Sequence, residues 1–174
     1  SLYNFGIFDY EANKFDGAVK NFQAVIAAHD MLKEAGYTSS LDEKQNYTDQ
    51  VYVTALAALN ANQNDVGKSL FMKLYEEGTD KAAVYESLYK LNSEADLAGA
   101  YKYLEEGRIK FPDDVSLLFT EINHFLKENR LDELISKLEV AISKEPGNLS
   151  LYSTLGNVYD NLYQKASDEG DVAK

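Results

Sequence analysis

The sequence predicts an all-α fold, a solenoid of stacked helical hairpins, and three observations carry that prediction. Apolar residues recur three and four positions apart, as in Val84, Leu88 and Leu91 or Val115, Leu118, Ile122 and Phe125, the spacing of one helix face. Only two prolines occur in 174 residues, and proline interrupts helices more severely than any other residue. The third observation is an internal repeat. "KFPDDVSLLFTEINHF" (Lys110 to Phe125) aligns without a gap on "KEPGNLSLYSTLGNVY" (Lys144 to Tyr159). Pro112 and Pro146, Leu118 and Tyr152, Phe125 and Tyr159, and Ala100 and Leu134 are thus all 34 residues apart. A fixed period of that size signals two-helix units that bury their faces on one another.

The elements follow in order as one array over 1–174, with approximate units 1–40, 41–79, 80–112, 113–146 and 147–174, the first and last incomplete. The first unit has a short helix at "NFGIFDY", the turn "EANKFDG" and a long helix "AVKNFQAVIAAHDMLKEAG". "GYTSS" links it to the second, stretching the local period to roughly 49 residues. There a helix from Leu41 to Asn60, opened by a capping box of Ser40 and Glu43, is followed by the turn "NANQND". "VGKSLFMKLYEEG" is the second helix, with Gly78 as its C-terminal glycine. In the third unit "NSEAD" separates the first helix from a face at Leu97, Ala100, Leu104 and Ile109. In the fourth, "KENRLDE" makes the turn, and Leu131, Leu134, Leu138 and Ala141 line the second helix. Asp113 or Asp114, and then Asn148, stand at helix N-cap positions, with Pro112 and Pro146 just past the preceding helices. "QKASDEGDVAK" reads as a polar loop, and with no capping helix at either end the sequence predicts a fragment of a longer array.

Composition excludes several functions. The net charge is −12, from 29 acids against 17 bases, and no basic run occurs, so a nucleic-acid partner is not expected. The absence of cysteine removes disulfides, thiolate catalysis and thiolate metal sites. No apolar run approaches the roughly 18 residues of a membrane-spanning helix, so membrane insertion is not expected. The chain starts at Ser1 without an initiator methionine, and reads as a processed or excised piece. Its compartment, cytoplasmic or exported to a periplasm or cell envelope, stays open.

Catalytic and metal motifs are missing too. His29 and His124 fall on different units, neither with a second histidine one helical turn on, and read as surface or interhelix residues. There is no phosphate-cradling glycine loop and no G-x-S-x-G elbow. The acid pairs in "YEEG" (75–78) and "LEEG" (104–107) lie near helix ends among polar residues and read as solvated. "DEGD" (168–171) lacks the alternating oxygen ligands of a calcium loop. The expectation is a protein with no enzymatic activity and no cofactor.

A two-helix unit of 34 residues with these landmarks resembles the tetratricopeptide repeat (TPR) family. Tyr152, Leu155, Gly156 and Tyr159 reproduce the first-helix signature. Ala100, Leu104 and Pro112, then Leu134, Leu138, Ala141 and Pro146, match the second-helix signature and its closing proline. Phe5, Gly6, Phe15, Ala18 and Phe22 extend the match to the first unit, so the resemblance covers essentially the whole chain. It implies that Gly156 is small to admit the second helix of its unit, a slot filled by Gly6 and Ala55 earlier on. Leu88 and Ile122 depart from that pattern, preceded by polar Ser87 and Glu121.

The resemblance further implies a right-handed α-α superhelix whose first helices line a concave groove. Carried over position by position, the groove holds Tyr52, Tyr85, Phe119 and Ser153 in one row and Leu56, Tyr89, Asn123 and Asn157 in a second. A third row holds Asn60, Ser93, Lys127 and Asn161, flanked by Leu59, Asn92, Leu126 and Asp160. Flat rings beside amides suit an extended peptide or an amphipathic helix. The alternative is that Tyr85, Tyr89 and Phe119 belong to the interhelix core. Some family members grip a terminal carboxylate through lysines, asparagines and an arginine; Asn123 and Asn157 echo two of those positions, but the matching lysines are absent and Lys127 alone is nearby, so an acidic-tailed ligand is disfavoured. The function expected is protein–protein interaction by a non-enzymatic scaffold. The alternatives are a spacer or self-associating segment of a longer array, joined through its uncapped ends, or an accessory domain of a larger protein.

Overall fold

The computed structural model describes residues 1–168, and among them the chain forms nine α-helices and no strand. These are α1 (Leu2–Glu11), α2 (Phe15–Glu34), α3 (Lys44–Asn60), α4 (Asn64–Glu76), α5 (Ala82–Ser93), α6 (Leu97–Lys110), α7 (Val115–Lys127), α8 (Leu131–Lys144) and α9 (Leu149–Asp168). Two compact units make up the chain, Ser1–Ala100 and Tyr101–Lys174.

In the first unit, α1 pairs with α2 and α3 with α4, while α2 packs on α3 and α4 on α5. Each of the two hairpins turns on a single left-handed asparagine, Asn13 at φ 57° and Asn62 at φ 58°. The asparagine N–H donates three residues back, to Tyr10 O and Leu59 O, both at 3.0 Å. The next N–H reaches five residues back, from Lys14 to Asp9 O at 2.7 Å and from Gln63 to Ala58 O at 2.8 Å. That pair of bonds closes the helix end, and asparagine tolerates the left-handed backbone it requires. Between hairpins glycine takes the same role, with Gly36 and Gly78 at φ 78° and 73°.

The core of this unit gathers Ala18, Val19, Phe22, Ala57 and Ala58, with Ile7, Tyr10 and Val53 packed against it. Small residues set how close the helices come. A Cβ at Gly6 would overlap the Phe22 ring, and one at Gly67 would lie 2.7 Å from Leu59 Cδ2 and 3.4 Å from the Ala55 carbonyl oxygen. The small slots at Gly6 and Ala55 therefore serve helix approach, as the resemblance implies.

In the second unit α7 pairs with α8, and α8 packs on α9. Asn129, at φ 52°, repeats the turn, with Arg130 N donating to Phe125 O at 3.0 Å. Leu118, Ile122, Phe125, Leu134, Leu138, Ala141, Leu151 and Val158 form the core. Asp114 is the N-cap of α7, accepting from Leu117 N at 2.9 Å, while Asp113 instead receives Lys144 Nζ at 2.8 Å.

Several expectations are corrected. α3 begins at Lys44 rather than Leu41, because the preceding residues form their own turn: Ser39 N donates to Asp42 Oδ2 (2.9 Å) and Leu41 N to Ser39 Oγ (3.0 Å). The capping box of Ser40 and Glu43 is not formed. Asn148 does stand directly before α9, with Leu151 N donating to its carbonyl at 3.1 Å, while its side-chain amide donates to Glu145 Oε2 at 2.9 Å. Ile109 is exposed because the face set by Leu97, Ala100 and Leu104 continues at Gly107 and Arg108, and Val115, in the opening turn of α7, is also exposed. Gln164–Asp168 continue α9 instead of forming a loop; they include good helix formers, and the rest of that stretch lies outside the described residues. A Cβ added at Gly156 would meet nothing within 4 Å among the described residues, so the close approach expected there is not made. No described helix follows α9 to make it.

The two glycines respond oppositely to alanine. Gly6→Ala is expected to cost about 1–3 kcal/mol through overpacking against Phe22. Gly156→Ala is expected to stabilise by about 0.5–1 kcal/mol through helix propensity. Urea denaturation followed by circular dichroism distinguishes them, and equal effects would refute the contrast.

Candidate binding faces

In the first unit, the residues of the expected rows fall into two groups. Tyr85 and Tyr89 are buried at 5% and 4% exposure, and the Tyr85 ring meets Tyr75 edge-on with centroids 5.5 Å apart. They brace the interior, in line with the core alternative. Tyr52 and Leu56 are half-buried. The Tyr52 ring lies edge-on to Phe71 at 6.1 Å, with Lys81 Nζ 5.3 Å from its centroid. The same Lys81 Nζ sits 2.7 Å from Asp49 Oδ1. Of the amides, Asn60 Nδ2 donates to Tyr10 Oη at 2.8 Å, and Asn92 Nδ2 donates at 2.6 Å to Leu88 O, one turn back on its own helix.

Beside this face, between α1, α2, α3 and the 37–43 linker, opens a cleft of about 360 Å³. Its floor is Tyr3, Val25, Leu41 and Val53, and Ser40, Asn46, Asp49 and Gln50 line its wall. Asn46 Nδ2 donates to Ser40 O (3.1 Å), and Gln50 Nε2 to Phe22 O (3.5 Å) and Thr54 Oγ1 (3.4 Å). Both amide nitrogens are thus engaged, while the side-chain carbonyl oxygens accept no hydrogen bond among the described residues. Sequence periodicity misses this cleft because its lining comes from three helices and from Ser40 and Leu41 of the linker, which departs from the repeat.

His29 is buried where the same linker begins. Its Nδ1 lies 2.6 Å from Ser39 Oγ and 3.7 Å from Asp42 Oδ1. A proton relay needs base and orienting acid on opposite ring nitrogens, and here both partners sit on one. His29 therefore pins the linker and has no relay geometry.

In the second unit, Phe119 is half-buried and packs against the core cluster. Asn123 and Lys127 are exposed one turn apart on α7, as are Asn157 and Asn161 on α9. Ser153 and Asp160 are exposed alongside them, with Leu126 at 51% exposure. The residue missed by sequence reasoning is Glu121, 3% exposed. It accepts from Arg108 Nε (3.2 Å), Lys137 Nζ (3.1 Å) and Tyr101 Oη (3.3 Å). Arg108 Nη1 in turn holds the α6–α7 connection, donating to the Phe111, Pro112 and Asp114 carbonyls at 3.4, 2.9 and 3.1 Å. An acid on an otherwise apolar helix face was the signal that could have found it. Burial, then the Glu121 charge, pushes the Tyr101 phenol up to about 12. The Tyr101 ring stacks on His124 at 4.3 Å and 16°. Burial holds the His124 pKa below its ordinary value, so the ring is neutral. This group acts as a structural lock.

Among the described residues no three His, Cys, Asp or Glu side chains are placed to hold a metal ion, and no helix is long and apolar enough to cross a membrane. No family model matches the sequence, and no curated protein matches it. Among solved structures, the crystal structure of the MamA protein superposes with a TM-score of 0.70, over 96% of this chain and 85% of that one, at 17% identity. The fold is a TPR-like helical solenoid. At that identity the likeness establishes architecture alone.

Two outcomes test the lock. Glu121→Ala leaves Arg108 and Lys137 without their shared anion in a low-dielectric site, and is expected to cost about 3–5 kcal/mol in a denaturant melt. His124, with a lowered folded pKa, contributes stability that is complete above about 6.5 and lost as pH falls, because the unfolded chain takes the proton first. Glu128 and Glu121 oppose that shift, while Arg130 and Lys127 reinforce it. Unfolding midpoints between pH 7 and 5 should therefore slope less in His124→Gln than in the parent.

Proposed function

We propose that this chain is a non-enzymatic scaffold that binds a peptide or helical segment of a partner protein along the first-helix faces of its hairpins. The carrying observation is the set Asn123, Lys127, Asn157 and Asn161. All four are exposed, and none of their side chains makes a hydrogen bond among the described residues. Amides spaced one turn apart offer donors and acceptors to a main chain without favouring a particular side chain. In the first unit the half-buried Tyr52 ring supplies flat contact area at low conformational cost. Tyr85, Tyr89, Phe119 and Asn92 support the face from beneath or within their helices. The likeness to MamA supports the architecture on which the reading depends.

A second reading, a self-associating or spacer segment of a longer array, is favoured by apolar side chains on two helices. Leu2, Phe5 and Phe8 of α1 are 45, 64 and 64% exposed, and Leu149, Tyr152, Tyr159 and Tyr163 of α9 are 80, 45, 49 and 66% exposed.

Peptide-display selection against the whole chain tests the scaffold reading. Enriched peptides should lose binding to a variant carrying Asn123→Ala, Lys127→Ala, Asn157→Ala and Asn161→Ala, or to Tyr52→Ala, each with its circular dichroism spectrum intact. Undiminished binding to both variants would remove these faces from the function. Light scattering across protein concentration addresses the second reading: a monomer throughout would exclude self-association.

A further inference from the structure

We propose that the cleft of the first unit recognises an apolar–basic peptide segment, seating an apolar side chain on Tyr3, Val25 and Val53 and an arginine or lysine head on Asp49, Asn46 and Gln50. This rests on the scaffold reading and names the chemistry of one of its ligands. Four features point to it. The volume of about 360 Å³ lies within the roughly 300–1,000 Å³ of ligand clefts, and the floor is apolar. The wall is rich in acceptors: the Asn46 and Gln50 nitrogens face other partners, leaving their carbonyl oxygens and Asp49 Oδ2 for incoming donors. Guanidinium and ammonium groups carry donors only, which matches a wall that needs donors. The net charge of −12 attracts a basic segment before contact.

The fourth feature is a cation already bound to Asp49, by a residue that does not itself line the cleft. Lys81 Nζ lies on the Asp49 carboxylate at 2.7 Å and over the Tyr52 ring at 5.3 Å. A carboxylate beside an aromatic face is a general receptor for a cationic side chain. The Lys81 hydrogen bond also holds the Asp49 carboxyl below its ordinary value, keeping it ionised. Asp49 is half exposed, with Oδ2 unengaged, so a ligand cation can share the carboxylate with Lys81 or displace it. Lys81 thus shows that Asp49 holds a cation and competes with a ligand for its carboxylate.

Nitrogen-15 NMR titration of the whole chain tests this with two blocked peptides, N-acetyl Leu-Arg-Leu-Arg-Leu amide and its counterpart with Glu in place of Arg. The basic peptide should shift the Asn46 and Gln50 side-chain amides and the Val53 backbone amide, and the acidic one should not. Asp49→Asn should weaken binding about three- to fivefold, as for an exposed ion pair, and Lys81→Met should strengthen it by a similar factor. A purely structural strut predicts a different pattern: both variants lower the melting temperature and neither changes peptide affinity. That pattern, or equal binding of both peptides in the cleft, overturns the proposal. Shifts confined to residues elsewhere overturn it while leaving the scaffold reading intact, and the display selection tests that reading independently.

Discussion

A two-helix hairpin cannot bury both of its apolar faces by itself, and every feature of this chain follows from how neighbours relieve that constraint. The hairpins must close tightly before they can stack. Three left-handed asparagines close them with the same pair of backbone bonds, so the helices of α1/α2, α3/α4 and α7/α8 leave their turns with one geometry. Small residues then let the paired helices approach, with Phe22 filling the space over Gly6 and Leu59 the space over Gly67. With the inner faces consumed in this way, the outer faces of the first helices are free to carry ligand-binding groups without disturbing the fold.

Where the apolar pattern lapses, ionic and polar groups hold the stack. Glu121 occupies a helix face that packing would otherwise give to an apolar residue, and it is tolerated because Arg108, Lys137 and Tyr101 all converge on it. A buried carboxylate is stable only with such a set of partners. His29 performs a smaller version of the task, tying the irregular linker through Ser39. Both histidines are thus absorbed by structure.

The fold was legible because it is periodic: the 34-residue offset, the turns and the second-helix faces are all written in local spacing. Three kinds of feature were not. Helix boundaries near Leu41 depended on Ser39 turning on Asp42, a choice among neighbouring polar residues that propensity cannot make. Gly156 fills the small-residue position of the repeat it resembles but meets no helix among the described residues, because a sequence motif records a slot and not its occupant. Glu121 and the cleft depend on residues from several elements, and Arg108, Lys137, Val25 and Leu41 announce nothing in sequence about the partners they meet. Of the aromatic row, spacing placed Tyr52, Tyr85 and Phe119 alike. Only packing separated the buried Tyr85 from the half-buried Tyr52 and Phe119.

Hydrogen-bond capacity divides the amide ladder more sharply than position does. Asn60 and Asn92 occupy ladder positions similar to those of Asn161 and its neighbours, yet Asn60 binds the Tyr10 hydroxyl and Asn92 turns back to the Leu88 carbonyl. A ligand competing for either nitrogen must break a bond the chain already makes, so its net gain is small. Asn123, Asn157 and Asn161 carry no such commitment and exchange only water for a partner. The cleft of the first unit follows the same logic in reverse: its nitrogens are engaged and its oxygens are not, so it accepts where the second unit both donates and accepts. On the proposed reading the two units ask different things of a ligand, and that difference comes from side chains the repeat leaves free to vary.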